Sequence, residues 1–243
     1  LGSFIDNGTS KLYFNGGSKK KIESKLHKIN LTIPFKWKWE NQIKEDWHLA
    51  WQDNFKPIII DDQLEIIPHW QEKKEGNIVV KIKPGMAFGT GHHETTSLIL
   101  SQMLKYIEPN MSILDLGTGS GILSICAMKM GSNNVDAVEN DIDCKSNFKE
   151  NLKLNNIKNG ITYHHKDVLN WNTFEYDIIL VNINHSIINK LIPKIQSISA
   201  RVILSGLLKE NYSDIKILLK KHSIKIIEKV TNGEWLCLNI LCQ

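Results

Sequence analysis

The residues best suited to chemistry lie in two glycine-rich stretches, one acid and one strand tip. In Ile113-Leu114-Asp115-Leu116-Gly117-Thr118-Gly119-Ser120-Gly121 an apolar run meets three alternate glycines and then an apolar helical stretch. Without Cβ atoms such a turn takes conformations other residues resist, and its N–H groups gather near a helix N-terminus, where they suit a ligand's polar or carboxylate end. The pattern is G-x-G-x-G, and Ile122 stands where a dinucleotide fingerprint carries its third glycine, which argues against a nicotinamide or flavin site. Further on, the apolar run 135–138 ends in Glu139, a carboxylate that can accept hydrogen bonds from both hydroxyls of a ribose. The plainer alternative is a tight strand-to-helix turn followed by a solvated acid. Turn and acid together, at neighbouring strand tips, favour the nucleoside site, because open α/β sheets bind ligands in that crevice.

Residues 84–96 form the second glycine-rich stretch, with Gly85, Gly89 and Gly91 permitting a closely folded loop and Thr95 and Thr96 placing hydroxyls on the first turn of a helix, within reach of the same ligand. His92 and His93 stand side by side there, but neighbours on a helix start point different ways and no third ligand follows at metal spacing, so they are read as loop residues and no metal is expected. The apolar run 176–181 ends in Asn182-Ile183-Asn184-His185 at what should be the carboxyl edge of a sheet. Asn182 is thus a candidate for the reacting centre, or alternatively the cap of a helix beginning near Ser186. Phe88 and Trp235 are either walls of a pocket or core residues.

To position these groups the chain offers a strand-helix alternation from Pro84 onward, the mark of a parallel sheet. Strands are expected at 112–115, 134–139, 161–165, 176–182 and 201–205, with a closing pair at 224–230 and 234–241. Helices are expected at 94–106, 121–130, 142–155, 186–197 and 209–222. The first third reads as a small α+β unit: a short apolar run at 11–14, a helix at 18–28, an extended 29–39, a helical 44–55 with Trp47 and Trp51, and short strands at 58–60, 64–67 and 78–82, with the boundary near Asn77.

Composition narrows the class. At 243 residues, with 42% hydrophobic and 23% charged residues, the chain has room for one large α/β domain and a smaller attachment, and no run is long and apolar enough to span a bilayer. Cys126, Cys144, Cys237 and Cys242 show neither C-x-x-C nor zinc spacing, which fits a reducing cytoplasm. The net charge of +4 rests on lysines, with Arg201 the lone arginine, so direct nucleic-acid binding is not expected. The opening Leu1-Gly2-Ser3-Phe4 lacks a methionine and a secretory leader, and is read as a trimmed start.

Residues 84–96, 115–121 and the tip Val138-Glu139 together resemble the ribosomal protein L-eleven methyltransferases, the PrmA family. The likeness runs upstream through Glu45-Asp46-Trp47, Trp51, Lys56-Pro57 and Ile67-Pro68-His69-Trp70, and downstream through Val181-Asn182-Ile183, Leu204-Ser205-Gly206 and Gly233-Glu234-Trp235. It implies a doubly wound, mostly parallel seven-stranded sheet of the Rossmann-like class I methyltransferase type with a small, shortened N-terminal α+β domain. The layout it implies is 1–43 for part of a substrate-recognition domain, 44–77 for a linking helix and short strands, and 78–243 for the methyltransferase domain. S-adenosylmethionine is the implied cofactor, with contacts at Thr96, Gly117, Glu139 and Asn182, to which the glycine motif adds Asp115, Gly119 and Gly121. Glu139 stands where the family more often has aspartate, and either carboxylate can serve a ribose. Methyltransferases of planar amides and adenine amines resemble one another in an Asn-Pro-Pro-Tyr at the Asn182 position; this chain has neither the prolines nor the aromatic ring, so an aliphatic amine is the expected acceptor. The resemblance thus implies a protein-lysine N-methyltransferase of a large-subunit ribosomal protein, expected to be a cytoplasmic monomer with no membrane partner. The alternatives are a lysine methyltransferase of another protein, such as the electron-transfer flavoprotein β subunit, or of a small amine, a noncatalytic RNA-binding or assembly module, and, more distantly, a nicotinamide oxidoreductase.

Overall fold

The structure, a computed structural model, describes residues 2–6, 9–13, 19–30, 32, 34–39, 57–72, 77–84 and 94–242. The chain forms two compact units, Leu1–Ala50 and Trp51–Gln243. In the first, β1 (Gly2–Asp6) and β2 (Thr9–Tyr13) make an antiparallel pair ahead of α1 (Lys19–Asn30). The extended run expected from residue 29 starts later, because Ile29 and Asn30 complete α1 and the Phe35 N–H then donates to Asn30 Oδ1 at 2.7 Å. Phe35, Trp37 and Trp39 are half-buried and alternate with exposed Pro34, Lys36 and Lys38. Trp39 Nε1 donates to Glu23 of α1 at 2.8 Å. The helix expected at 44–55 lies outside the described residues.

The second unit begins with a three-stranded sheet of β3 (Ile58–Ile60), β4 (Leu64–Pro68) and β5 (Ile78–Ile82), in which β4 runs antiparallel to β3 and parallel to β5. Its Ile60, Leu64, Ile66, Val80 and Ile82 belong to the same core as Leu98, Ile99, Met103 and Ile125. These strands therefore fold with the large unit, whose start at Trp51 lies ahead of the boundary expected near Asn77.

Next come α2 (Glu94–Tyr106), β6 (Ser112–Leu116), α3 (Ile122–Lys129), β7 (Asn134–Glu139), α4 (Cys144–Leu154), β8 (Ile161–His165), β9 (Ile178–Asn182), α5 (His185–Leu191), β10 (Arg201–Leu208), α6 (Tyr212–Lys221), β11 (Lys225–Asn232) and β12 (Trp235–Leu241). The seven strands form one sheet in the order β11-β12-β10-β9-β6-β7-β8. All neighbours from β10 to β8 pair in parallel, and only β12 runs against both of its neighbours. Every residue of β9 is buried, as a central parallel strand covered on both faces must be. Ile179 and Val181 enter one core and Ile178 and Leu180 the other, following the period of two.

Four of the five expected helices are shorter, two of them because of 3-10 turns. Pro193 sits in a 3-10 turn, Ile192–Lys194, that follows α5, so the helix expected over 186–197 stops early. A second 3-10 turn, Lys209–Asn211, delays α6, and the strand expected at 201–205 continues past a register shift to Leu208.

Candidate active site

Register brings the chemically interesting residues to one edge. Leu116 pairs with Val138 on one side and Val181 on the other, which sets Gly117 level with Glu139 and Asn182, while Asn182 pairs with Ser205 of β10. The strand order reverses between β6 and β9, so this edge is the switch-point crevice where ligands of open α/β sheets bind.

The glycine turn is tied to β7 by its own amides. Gly117 and Thr118 N–H both donate to Val138 O, at 2.9 and 3.1 Å, and Gly121 N–H donates to Thr118 O at 2.9 Å. Gly119 N–H donates to Glu139 Oε2 at 3.0 Å, and Asp141 N–H to Oε1 at 2.9 Å. Four N–H groups expected to face a ligand are thus paired within the protein, as buried amides must be. Gly117 is required for packing. Its φ is +82°, and a Cβ there would lie 2.3 Å from Ile183 Cγ2. The same residue pins the neighbouring tip: a Cβ on Gly206, at φ +81°, would fall 2.1 Å from the Ile183 carbonyl oxygen. Ile183 is thus held between the tips of β6 and β10, which fixes Asn182 beside it.

Asp115 lies beneath the turn and is fully buried. Its Oδ2 accepts the hydroxyls of Thr118 and Ser124, each at 2.6 Å, while Oδ1 has no partner. Burial pushes its carboxyl up to about 6, against the lowering effect of the two hydroxyls and with a further push from Glu139. Its bonded partners are Thr118 of the turn and Ser124 in the first turn of α3.

Asn182 is buried, and its Nδ2 donates to Thr96 Oγ1 at 3.4 Å. Its Oδ1 is fully enclosed without a donor. The alternative role as a helix cap belongs to another residue, since Asn184 caps α5 by accepting the Ile187 N–H at 3.1 Å. Thr96 is fully buried at the start of α2, and the same turn is anchored by Ser205 Oγ donating to Thr95 O at 2.8 Å. Ser205, Gly206 and Ile183 were not singled out as site residues; the runs Val181-Asn182-Ile183 and Leu204-Ser205-Gly206 carried a signal, and it pointed to family rather than role. Trp235 is half-buried against the core shared by α2 and β3–β5. Phe88, His92 and His93 lie outside the described residues.

These groups fit an adenosyl ligand bearing a polar tail. Each Glu139 oxygen accepts one amide and keeps a second lone pair, and the side chain is partly exposed, so ribose hydroxyls can be added without breaking what is there. Two enclosed acceptors without donors, Asp115 Oδ1 and Asn182 Oδ1, flank the turn. A donorless buried acceptor costs ~1–3 kcal/mol, an expense that proteins concentrate at functional sites.

A seven-stranded sheet with one reversed strand, a glycine turn at its switch point and an acidic tip on the adjoining strand defines a Rossmann-like methyltransferase fold. Across residues 9–242 the chain matches the family described as ribosomal protein L11 methyltransferase (PrmA), and it belongs to that family. The ribosomal protein L11 methyltransferase of Desulfitobacterium hafniense is 34% identical over 216 residues, covering 84% of this chain and 69% of the relative. That of Desulforapulum autotrophicum is 35% identical over 245 residues, covering 98% and 78%. Among solved structures, a ribosomal protein L11 methylase from Lactobacillus delbrueckii superposes with a TM-score of 0.71 at 29% identity, covering 78% of this chain and all of its own. The chain spans between 63 and 78% of the length of the curated relatives it matches. The family uses S-adenosylmethionine. No helix among the described residues is long and apolar enough to cross a membrane.

Proposed function

We propose that this chain transfers methyl groups from S-adenosylmethionine to amino groups of ribosomal protein L11, acting on lysine side chains in the cytoplasm. The observation that carries the chemistry is the Asn182 side chain, whose nitrogen is engaged with Thr96 while its buried oxygen has no donor, at a strand tip level with the glycine turn. When bound, S-adenosylmethionine supplies an electrophilic methyl on a cationic sulfur, so the chain needs no nucleophile of its own. Glu139 accepts the ribose hydroxyls, and the turn from Gly117 through Gly119 to Gly121, organised from below by Asp115, lies against the cofactor beside Thr96.

The acceptor must arrive as a neutral amine. Free lysine, with a pKa near 10.4, costs roughly 4.6 kcal/mol to deprotonate at pH 7. Burial beside Asn182 and a neighbouring positive charge both disfavour the ammonium form. The Asn182 oxygen accepts one N–H of the neutral amine, which turns the lone pair toward the methyl, and Thr96 holds the amide in that orientation. Support for the substrate comes from the family and from the absence of the Pro-Pro-aromatic run that would hold a flat acceptor after Asn182.

Incubating the protein with methyl-tritiated S-adenosylmethionine and purified large-subunit ribosomal proteins tests both parts. Label on ribosomal protein L11 lysines is the expected outcome. Label confined to another protein overturns the substrate, and no transfer to any protein overturns the enzyme.

A further inference from the structure

We propose that Asn151 is a positioning residue for methyl transfer, coupling the glycine turn to the chain that leads into α2. The proposal rests on the function above.

Asn147, Asn151 and Asn155 recur every four residues along α4 and its C-terminal cap, and residues so spaced stack on one helix face. That face lies along the outer edge of β5, the edge strand of the three-stranded sheet. Asn155 exchanges two hydrogen bonds with Lys81, accepting its N–H at 2.9 Å and donating to its carbonyl at 2.6 Å. Lys83 N–H donates to Asn151 Oδ1 at 2.8 Å, and Asn147 Nδ2 donates to the Lys83 carbonyl at 3.1 Å. The side-chain amides do for this edge what a further strand would do, satisfying alternate main-chain groups.

Asn151 differs from the other two. Its Nδ2 donates to the Ser120 carbonyl in the glycine turn at 2.8 Å, so a single amide joins the turn to Lys83. The side chain is fully buried, so water cannot replace either bond. Only Pro84 separates Lys83 from residues 85–93, which lead directly to α2, and α2 carries Thr96 to Asn182. Asn151 therefore sets the spacing between the glycine turn, which would hold the methyl donor, and Lys83 just past the end of β5. An aspartate there would keep the Lys83 bond but offer Ser120 no donor, and a leucine would satisfy neither.

The test compares Asn151→Leu with Asn155→Leu, which removes another buried part of the ladder without touching the turn. Thermal melting, calorimetric titration with S-adenosylhomocysteine and amide hydrogen exchange are measured on both full-length variants. Both should melt lower than wild type. Only Asn151→Leu should weaken S-adenosylhomocysteine binding, by about tenfold, and speed exchange at Gly119 and Gly121 as well as at Lys83. Equal changes in affinity and in turn exchange for the two variants would overturn the proposal, leaving the ladder as a stabilising feature alone. If wild type binds no S-adenosylhomocysteine, the proposed function fails, and the exchange comparison still decides the coupling.

Discussion

Replacing Gly206 by alanine should damage the site without touching any group that meets a ligand. The added Cβ would lie 2.1 Å from the Ile183 carbonyl oxygen, 2.9 Å from its carbon and 3.2 Å from its nitrogen, so it meets main chain rather than a side chain that can swing away. Ordinary contact requires the two strand tips to part by more than ~1 Å. The residue also keeps a left-handed backbone at φ +81°, which costs an alanine ~1–2 kcal/mol. Overpacking adds ~1–3 kcal/mol, for a total of about 2–5 kcal/mol. In a domain of this size that is a fall in melting temperature of roughly 5–15 °C. The shifted backbone is that of Ile183, the residue after Asn182, and a displacement of ~1 Å at a reacting centre costs on the order of 100-fold in rate. Melting by calorimetry and kcat for methyl transfer to ribosomal protein L11 check this, well below the melting point of the variant. A variant melting within about 2 °C of wild type with kcat within about twofold would refute the packing of Ile183 between the two tips.

Asn182→Ala should lower kcat by about 100-fold while leaving the dissociation constant for S-adenosylhomocysteine within about threefold, as measured by steady-state kinetics and calorimetry. Glu139→Ala should weaken cofactor binding by ~100-fold through loss of charge-assisted bonds to the ribose, whereas Glu139→Asp should stay within about fivefold. Asp115 predicts a pH dependence of stability. Its carboxyl is raised from 3.8 to about 6 in the folded protein, so between those values the folded state binds the extra proton and stability falls as pH rises. The shift of about two units corresponds to ~3 kcal/mol, fully lost above about pH 7 and fully regained below about pH 3. Denaturant unfolding from pH 4 to 7 should therefore show wild type losing stability relative to Asp115→Asn as pH rises; a constant difference between the two would contradict a carboxyl titrating near 6.

The parallel sheet was legible because its strands are short apolar runs with sharp polar ends, and β7 and β8 carry the bounds that pattern predicts. The pairing of turn and acid was legible for the same reason: Gly117 and Glu139 each follow the last apolar residue of a strand. What the turn does with its amides was not. G-x-G-x-G signals tight geometry, but the destination of each N–H depends on register with β7, and register is a tertiary fact. Ile183 and Gly206 stood in the sequence only as part of the family likeness, and their role was hidden because it is a single backbone approach between separate strands. The asparagine ladder was hidden differently: asparagine at every fourth position disfavours a helix slightly and gives no hint that an unpaired strand edge lies alongside. Asn182 and Asn184 look equivalent as caps in sequence, and only the fold assigns the cap to Asn184 and turns Asn182 toward Thr96.

The central claim is that the tips of β6, β7 and β9 hold the methyl donor, with its sugar on Glu139. A crystal structure of the protein with S-adenosylhomocysteine tests it most directly. The ligand is expected along the turn from Gly117 to Gly121, both ribose hydroxyls within hydrogen-bonding distance of the Glu139 carboxylate and the sulfur facing Asn182. Ligand density away from this edge, or a ribose that leaves Glu139 bonded only to its own backbone neighbours, would contradict it.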